Sequence, residues 1–594
     1  MTKATIASDR KSNPITAPTL QYTVAMPQPA NHLFEVTLHI QSWQRSLLNL
    51  KMPVWTPGSY LVREYAKQVQ DFQATTPDQT PLSCRKVNKN HWHIDTHNHS
   101  EITIFYRVYA NELTVRTNHL DTTHGYFNGS ALFCYIPGLE HLPLQITLKP
   151  PHPDWKIATA LPPHPDQENT FIAPDFDTLV DSPCEIGHHE THEFSVLGKK
   201  HRWTTWGKGN IDPKKVIQDT TKIIETEAQI YGGLPYQEYL FLLHLASNGF
   251  GGLEHKTSCS LIYSRFGFRN PSKYNRFMQL VAHEFFHLWN VKRIRPKALE
   301  VFDYDQENYT TSLWFCEGVT SYYDTLIPHW SGIYNRKTFL EILSKDINRY
   351  FNTPGRKVQP LTESSFDAWI KLYRRDANSD NSQISYYLKG EMVSLLLDLL
   401  IRKRHNNKRS LNTVMKEMWE QFGKDEIGYT PQQLQDLLEE VAATDLSDFF
   451  ARYLDGLEEL PLADYLEPFG LKIKAIPDPQ KRHTPYLGVR ITNQNPVVAQ
   501  FVEAESPAAQ AGIDAGDELL ALDGVRLTAE DFNDRLQDYN AGDTVELTIF
   551  HQDELQTHSL QLATPQPSHY QVVMVEKPTE KQKQLLNGWL GKDT

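Results

Sequence analysis

The residues best suited to catalysis lie in the stretch 280–290 (LVAHEFFHLWN), which holds a His-Glu-x-x-His pattern in a segment of helical periodicity. Positions i and i+4 lie on one face of a helix, so His283 and His287 can present two imidazole nitrogens to one metal ion. Glu284 between them can act as general base toward a zinc-activated water. The pattern therefore predicts a hydrolytic site with one Zn²⁺ per chain.

A catalytic zinc site usually takes a third protein ligand and keeps one position open for water or substrate. Glu317 is the best candidate, 30 positions after His287 in a second amphipathic segment. We expect Pro296 to end the first helix and the run 310–312 (TTS) to cap the second, so that the two helices pack as neighbours. A Glu in such aromatic surroundings is costly to bury unpaired, and a metal would remove that cost.

The wider sequence indicates the elements that hold these residues. From Leu20 to about Phe194, short alternating runs broken by Pro, Asn and Gly predict an antiparallel β domain. From about Lys208 the periodicity becomes helical, which predicts a mostly α centre. Beyond the two metal-bearing segments, helices are predicted at 339–350, 386–403, 411–422 and 430–442, the last with Thr430 and Pro431 as its cap and first turn.

Composition limits the partners. The chain has 594 residues, a formal net charge of −13 and no long basic block, so nucleic acid and anionic membrane surfaces are not expected partners. The longest apolar run is too short to span a membrane, and the N-terminus lacks the apolar stretch of a secretory signal. Five scattered cysteines without a Cys-x-x-Cys pair favour a reducing compartment. We therefore expect a cytoplasmic protein.

Two other histidine clusters occur in the predicted β domain. Neither has a cysteine partner or a helical i,i+4 pair, so strand and loop histidines are the expected interpretation. The clusters are His91, His93, His97 and His99, and His188, His189 and His192.

Several motifs resemble the gluzincin metallopeptidases. The His283 motif followed by 314–318 (WFCEG) is similar to their zinc site, in which a Glu on the next helix is the third ligand. Residues 248–255 (NGFGGLEH) resemble the Gly-x-Met-Glu-Asn substrate strand of the aminopeptidase N group, and 387–390 (YLKG) resemble its Tyr-x-x-Gly. The resemblance implies that the Tyr387 hydroxyl stabilises the oxyanion, while the adjacent Tyr386 faces the other way.

A narrower resemblance covers the chain from about residue 20 to 565. Residues 283–296 (HEFFHLWNVKRIRP) and 53–69 (PVWTPGSYLVREYAKQV) are similar to signatures of the glycyl aminopeptidase family. That family implies a multidomain α+β fold: an N-terminal antiparallel β domain, a mostly α gluzincin (thermolysin-like) catalytic domain and a C-terminal PDZ domain. The expected divisions are 1–18 disordered, 19–195 β domain, 196–465 catalytic domain, 466–565 PDZ domain, and 566–594 a tail with a short helix.

The C-terminal motifs resemble PDZ domains of the bacterial protease type. They include 486–489 (YLGV), 506–513 (SPAAQAGI) and 516–520 (GDELL). Tyr486, Leu487 and Gly488 would form the carboxylate-binding loop of a groove for an extended peptide or a protein C-terminus, beside a helix from Thr528 through Tyr539. The alternative is a PDZ-shaped spacer with an occluded groove.

The segment 248–255 indicates what kind of substrate the site would accept. Gly251 and Gly252 have no side chains to block a peptide laid along them, and the Glu254 carboxylate would hold a free α-amine. His255 departs from the Asn of the aminopeptidase N motif, and the spacing from His287 to Glu317 exceeds the usual one in that group. We expect a zinc-dependent aminopeptidase acting on peptides with a free N-terminus, and the family resemblance implies preference for Gly or other small residues. A gluzincin endopeptidase, another metal hydrolase and a catalytically silent PDZ adaptor are the alternatives.

Overall fold

Strands build the first part of the chain. The structure, a computed structural model, describes residues 17–476, 484–565 and 567–592. The predicted disordered N-terminus, residues 1–18, lies almost wholly outside these ranges. The short helix α1 (Phe176–Val180) accompanies the strands of this part. These are β1 (Thr19–Ala25), β2 (Leu33–Gln41), β3 (Leu47–Lys51), β4 (Val69–Thr75), β5 (Ser83–Asn88), β6 (His91–Asp95), β7 (Ile102–Tyr109), β8 (His119–Leu120), β9 (His124–Phe127), β10 (Leu144–Lys149), β11 (Lys156–Ala158), β12 (Thr170–Ala173) and β13 (Cys184–Gly187).

These strands form three sheets, in the orders β12-β10-β1-β2-β7-β4, β11-β13-β9-β8 and β3-β6-β5. Alternation along each strand explains the layering. In β2, Phe34, Val36, Leu38 and Ile40 are fully buried, while the residues between them are more exposed, as a period of two requires. Pairing is antiparallel except between β1 and β10, which run parallel.

Another sheet begins the central part of the chain. It contains β14 (His189–Val196), β15 (Lys199–Trp206), β16 (Glu238–Ala246), β17 (Phe250–Glu254) and β18 (Ser258–Ser264), in the order β14-β15-β16-β18-β17. The three inner strands are parallel, and the two outer ones pair antiparallel to them. Because β14 pairs with β15, we propose that the first domain ends near residue 188 rather than 195.

Helices make up most of the rest of the central part, and the first two pack against this sheet. They are α2 (Pro213–Tyr231), α3 (Pro271–Phe286), α4 (Val319–Trp330), α5 (Arg336–Phe351), α6 (Leu361–Phe366), α7 (Ser379–Ser382), α8 (Tyr386–His405), α9 (Leu411–Met418), α10 (Pro431–Ala442), α11 (Ser447–Tyr453) and α12 (Leu462–Leu466). The predicted helices correspond to α5, α8, α9 and α10. Thr430 caps α10 as predicted, its hydroxyl accepting from the Gln433 amide at 3.2 Å.

The first part of the chain inserts a loop into the core of the central part. Trp55 is completely buried and packs edge-on against Trp369 at a centroid distance of 5.1 Å. Its indole nitrogen donates to the Asp303 carbonyl at 2.8 Å. Tyr60, on the same loop, also packs against Trp369. This loop belongs to the signature 53–69, and it joins the N-terminal β domain to the core of the central part.

A separate module precedes the C-terminal helix, flanked in the chain by β19 (Leu471–Ile476) and β26 (His569–Met574), which pack against the core of the central part. The module's own elements are β20 (Val489–Ile491), β21 (Ala499–Val502), α13 (Pro507–Gln510), β22 (Glu518–Leu522), β23 (Val525–Arg526), α14 (Phe532–Leu536), β24 (Thr544–His551) and β25 (Glu554–Gln561). Strands β19 and β26 pair antiparallel and bracket the rest. Tyr486 and Ala563 exchange two backbone hydrogen bonds of 2.9 Å, so the ends of the bracketed module lie together. The predicted helix from Thr528 is shorter than expected, because α14 covers five residues.

This module docks on the segment that precedes α8. The side-chain nitrogen of Asn381 donates to the Val502 backbone carbonyl at 3.0 Å. Its side-chain oxygen accepts from the Ala504 backbone amide, also at 3.0 Å. Arg490 forms an ion pair with Asp380. One side chain therefore satisfies two backbone groups at the end of β21.

The chain ends in helix α15 (Glu580–Leu590), capped by Thr579. Trp589 is buried, and its indole nitrogen donates to the Tyr322 hydroxyl at 3.0 Å. Within the described ranges, no helix is long and apolar enough to cross a membrane. The predicted multidomain α+β class, with a β-rich N-terminal part and a helical centre, is confirmed.

Candidate active site

The two histidines of the metal motif lie at the end of α3. Asn270 caps the helix by accepting from the Lys273 amide at 3.1 Å, with a proline in the first turn. His283 is in the last turn, and His287 is the C-cap residue. The expectation that this helix continues to Pro296 is wrong, because α3 ends at Phe286.

Tertiary hydrogen bonds explain the early end. The Asn290 carbonyl accepts from the His287 Nδ1 at 2.8 Å, with that nitrogen in the donor tautomer. The side-chain amide of Asn290 donates to the backbone carbonyls of Phe315 and Cys316, each at 3.0 Å. These bonds turn the backbone away from the helix axis and tie it to the next metal-bearing segment.

Glu317 lies in a π-helical stretch, Trp314–Gly318, which continues into α4. Such stretches occur mostly as single turns within helices, frequently at functional sites. A Cβ atom on Gly318 would lie 2.5 Å from the Gly390 Cα, so the absence of side chains lets the stretch pack directly against α8. The close approach brings Glu317 and Tyr387 to the same cleft.

The three candidate ligand atoms converge. His283 Nε2 and His287 Nε2 are 3.1 Å apart, and Glu317 Oε2 lies 3.5 and 3.2 Å from them, respectively. Tetrahedral zinc with bonds of about 2.0–2.1 Å would separate such atoms by roughly 3.3 Å. Asp324 accepts from His283 Nδ1 at 2.9 Å, which orients the ring and its tautomer as in known zinc sites. Two nitrogens and one carboxylate in this arrangement fit a zinc ion.

The charges around the cluster also favour a cation. Burial raises the pKa of Glu317, but the neighbouring imidazoles outweigh it and hold that pKa at about 2. Burial lowers the pKa of His283, yet Asp324 and Glu317 raise it well above its ordinary value. Without a metal, the site would hold protons instead. A dication can replace them, since metal binding displaces protons from its ligands.

Glu284 lies beside the cluster with one oxygen free of partners among the described residues. Its side chain is buried, and Oε2 makes no hydrogen bond. Burial raises its pKa to about 7, and Glu254 adds to the increase while the two imidazoles oppose it. A Cβ on Gly252 would lie 2.1 Å from Glu284 Oε1, so only glycine leaves room for this carboxylate.

Tyr387, rather than its neighbour, faces the metal motif. Its ring stacks on His283 at a centroid distance of 6.2 Å and is half-buried. Tyr386 is fully buried. The Tyr387 hydroxyl lies 3.0 Å from that of Tyr373. Burial raises the pKa of Tyr387 well above its ordinary value, so the hydroxyl keeps its proton and can donate it in a hydrogen bond.

Glu254 ends β17, the outer strand beside the cluster. The pairing partner of β17 in the described ranges is β18, which leaves the opposite edge of Gly251 and Gly252 open. Glu254 is 4% exposed, and its Oε1 has no hydrogen-bond partner there. A Cβ on Gly58 would lie 2.4 Å from that oxygen, so the backbone of the first domain closes over Glu254.

His255 serves the domain contact. Its Nδ1 lies 3.0 Å from the Asp181 carboxylate, which also pairs with Lys292 at 2.7 Å. The departure from the aminopeptidase N motif at this position therefore has a structural reason.

Sequence reasoning missed three residues of the cleft. Arg116 donates to the Gly252 carbonyl at 3.0 Å and interacts electrostatically with Glu284. Tyr373 contacts Tyr387, and Arg63 lies near both Arg116 and Tyr373. Arg116 and Tyr373 belong to no recognised motif, and Arg63 lies in the signature 53–69 without a role that the sequence indicates. Two of the three come from the first domain, so the folded chain is needed to place them in the cleft.

The histidine clusters noted from the sequence do not form metal-binding groups in the part of the chain described. A different buried group does occur: Glu185 accepts from His124 and His244, each at 2.9 Å. Burial raises the pKa of Glu185, but these imidazoles outweigh it and hold the pKa at about 2. The carboxylate is satisfied by its two donors, and the network joins β9 and β13 to β16.

In the C-terminal module, the predicted loop residues lie at its start. Leu487 is buried in the module core with Phe532 and Leu536 of α14, and Val489 of β20 packs against the same core. The Gly488 carbonyl accepts from the Glu503 amide at 2.8 Å. Strand β20 and helix α14 thus flank one apolar core, as the predicted groove requires.

Comparisons with known proteins agree with this organisation. Profiles described as Peptidase M61 N-terminal domain, M61 glycyl aminopeptidase and PDZ domain match residues 21–188, 276–393 and 485–562. A comparison with curated proteins finds no match. An aminopeptidase N family protein of known structure from Idiomarina loihiensis is 34% identical, covers 96% of this chain and 100% of its own, and has a TM-score of 0.90. The M1 zinc metallopeptidase from Deinococcus radiodurans is 12% identical, covers 75% of this chain and 94% of its own, with a TM-score of 0.48.

Fold and comparisons together define a zinc metallopeptidase with a PDZ domain. The chain belongs to the M61 glycyl aminopeptidase family. It is accordingly an aminopeptidase that acts on peptides, and the family recognition made from the motifs is confirmed.

The ligand cluster gives the first prediction. Glu317→Ala removes one of three converging donors, so we expect its zinc content to fall far below the one ion per chain expected for the parent protein. Elemental analysis after dialysis measures this, with Glu580→Ala, an exposed acid on α15, as the matched control. Full zinc in the Glu317→Ala protein would exclude Glu317 as a ligand.

Proposed function

We propose that the protein removes the N-terminal residue of peptides, favouring Gly or Ala, with one zinc held by His283, His287 and Glu317. The convergence of three donor atoms 3.1 to 3.5 Å apart, next to an open strand edge, is the observation that carries the proposal. Bound zinc supplies a Lewis acid that polarises the scissile carbonyl and acidifies water.

Glu284 is the proposed general base. Its unpartnered oxygen accepts a proton from the attacking water and delivers it to the leaving amine. Tyr387 keeps its hydroxyl protonated and donates to the developing oxyanion. The contact between Tyr373 and Tyr387 hydroxyls supports that orientation, because it limits rotation of the Tyr387 ring.

Glu254 is the proposed anchor for the α-amine. A buried carboxylate oxygen without a donor is costly, and a substrate ammonium would supply that donor. The open edge of β17 provides backbone groups for the residues that follow.

The end of the cleft favours exopeptidase action over the endopeptidase alternative. The Gly58 backbone lies directly against Glu254, so this loop limits the space for residues that would precede the amine. Tyr60, on the same loop, is buried and interacts electrostatically with Glu254 and Glu317. A wall at this position supports a preference for small first residues, since large side chains would meet it.

The PDZ domain supplies a second proposed binding site. Tyr486, Leu487 and Gly488 would receive the C-terminus of an extended peptide that pairs with β20. Support comes from the shared apolar core of β20 and α14.

The base assignment gives the second prediction. Glu284→Gln keeps the shape of the side chain but cannot accept the proton, so kcat should fall about 10²- to 10⁴-fold while zinc content and melting temperature are retained. Hydrolysis of an alanyl arylamide measures it, beside Glu225→Gln, an exposed acid on α2. Activity near that of the parent would remove Glu284 from this role.

The third prediction concerns the amine. Glu254→Gln weakens a charge-assisted hydrogen bond worth about 1.5–3 kcal/mol, so kcat/KM for free-amine peptides should fall by about one to two decades. Matched N-acetylated peptides, already poor substrates, should change little. A uniform loss on both, together with a lower melting temperature, would make Glu254 a structural acid.

The fourth prediction concerns the PDZ domain. Because its ends lie together at the Tyr486 and Ala563 bridge, residues 484–565 can be replaced by a short Gly/Ser linker. Hydrolysis of the alanyl arylamide should persist, while longer peptides are processed less well. Asn381→Ala, which removes two docking hydrogen bonds and keeps the Arg490–Asp380 ion pair, is the control for weakened docking. Equal losses on both substrates would assign the PDZ domain a structural role.

A further inference from the structure

A cavity of about 510 Å³ opens beside the catalytic cleft, a volume within the range of small-ligand sites. Its walls come from the first domain and from the segment before α8, and include Arg63, Tyr65, Thr117, Asn118, Tyr373 and Arg374. The Tyr373 hydroxyl is 3.0 Å from that of Tyr387, so the cavity adjoins the proposed oxyanion donor.

Arg116 directly precedes Thr117 of the cavity wall, and its side chain reaches the cleft. Its guanidinium donates to the Gly252 carbonyl at 3.0 Å, while Nη1 is 3.8 Å from where a Gly251 Cβ would be. The Tyr65 hydroxyl donates to the Arg116 carbonyl at 2.9 Å and fixes the backbone. Arg116 also interacts electrostatically with Glu284 and Tyr387, which places its charge within reach of bound substrate.

Arg63 is a second positively charged residue near Arg116, and it lies in the wall of the cavity. Its guanidinium donates to the Ser59 hydroxyl at 2.9 Å, and its Nε is buried without a partner in the described ranges. Burial lowers the pKa of Arg63, and the charge of Arg116 lowers it further. Tyr65, Tyr373 and the exposed Glu112 oppose this lowering of the pKa without cancelling it, so an anion beside the two guanidinium groups would relieve their repulsion.

A substrate bound along β17 with its amine at Glu254 would extend its C-terminal end toward these arginines. Strand β17 runs from Phe250 to Glu254, and the amine anchor is at its C-terminal end. A peptide advances about 3.4 Å per residue along a strand. The second and third residues of a substrate anchored at Glu254 therefore pass Gly252 and Gly251, which Arg116 contacts.

We propose that Arg63 and Arg116 form a subsite for the α-carboxylate of dipeptides and tripeptides. The proposal rests on the proposed function, because the Glu254 anchor sets the direction of the substrate. Arginine is suited to this task, since its planar guanidinium can donate two parallel hydrogen bonds to one carboxylate. The enzyme then acts preferentially on short peptides with a free C-terminus, and recognises both of their charged ends.

The test compares three tripeptides that differ in the presence and position of one carboxylate: Ala-Ala-Ala, its C-terminal amide, and Ala-Ala-Glu amide. The parent enzyme should cleave the free acid with a kcat/KM about tenfold or more above the amide. Arg63→Gln and Arg116→Gln should each reduce that ratio toward one. Arg45→Gln, which removes an exposed arginine outside the cavity, should leave the ratio unchanged.

Binding gives a second readout that does not depend on turnover. Calorimetry on the Glu284→Gln variant should show the free acid bound more tightly than the amide, and the preference should disappear when Arg63→Gln is added. Equal affinities for acid and amide would overturn the proposal, as would an arginine variant that lowers melting temperature and all activities alike.

Two further outcomes separate the hypotheses. Cleavage of Ala-Ala-Glu amide as efficiently as the free acid would assign the subsite to acidic side chains and overturn the α-carboxylate assignment. Alanyl arylamide carries no carboxylate, so its chelator-sensitive hydrolysis reports the proposed function alone. If that substrate is cleaved but acid and amide tripeptides are equivalent, the carboxylate subsite fails while the aminopeptidase mechanism stands.

Discussion

Buried negative charge around two imidazole rings is the constraint on which the rest of this structure depends. Glu284 and Glu317 are almost completely removed from solvent beside His283 and His287. Asp324 accepts a hydrogen bond from Nδ1 of His283, the ring nitrogen that points away from the cluster. Such carboxylates are costly to bury unless protons or a metal compensate them. The histidine rings are therefore held from both sides, by the acids that share the cluster and by the acceptors of their second nitrogens.

Rigid backbone contacts keep this charge in place. Asn290 joins the end of α3 to the π-helical stretch, and the contact between Gly318 and Gly390 holds that stretch against α8. The first domain completes the cleft, because Gly58 closes over Glu254 and Arg116 contacts the substrate strand. The aminopeptidase site thus belongs to two domains, and neither supplies it alone.

The sequence was sufficient for the elements with strong local signals. Alternation predicted strands such as β2, the helical period predicted α5 and α8, and Thr430 marked the start of α10. The end of α3 was mispredicted because Pro296 is a strong helix breaker, whereas the actual end depends on hydrogen bonds from Asn290 to a segment 25 positions away. Periodicity carries no information about such distant partners.

What the sequence by itself determined is the identity of the groups for chemistry, since i,i+4 spacing sets His283 and His287 on one helical face and the motifs nominate Glu317, Tyr387 and Glu254. The tertiary structure alone decided which neighbours those groups have. It packed Gly58 over Glu254 and placed Arg63 and Arg116 beside the cleft. These residues are about 135 to 195 positions from β17. The burial of Trp55 in the core of the central part, together with the polar contacts of Asp181 and Glu185, brings their domain against that strand.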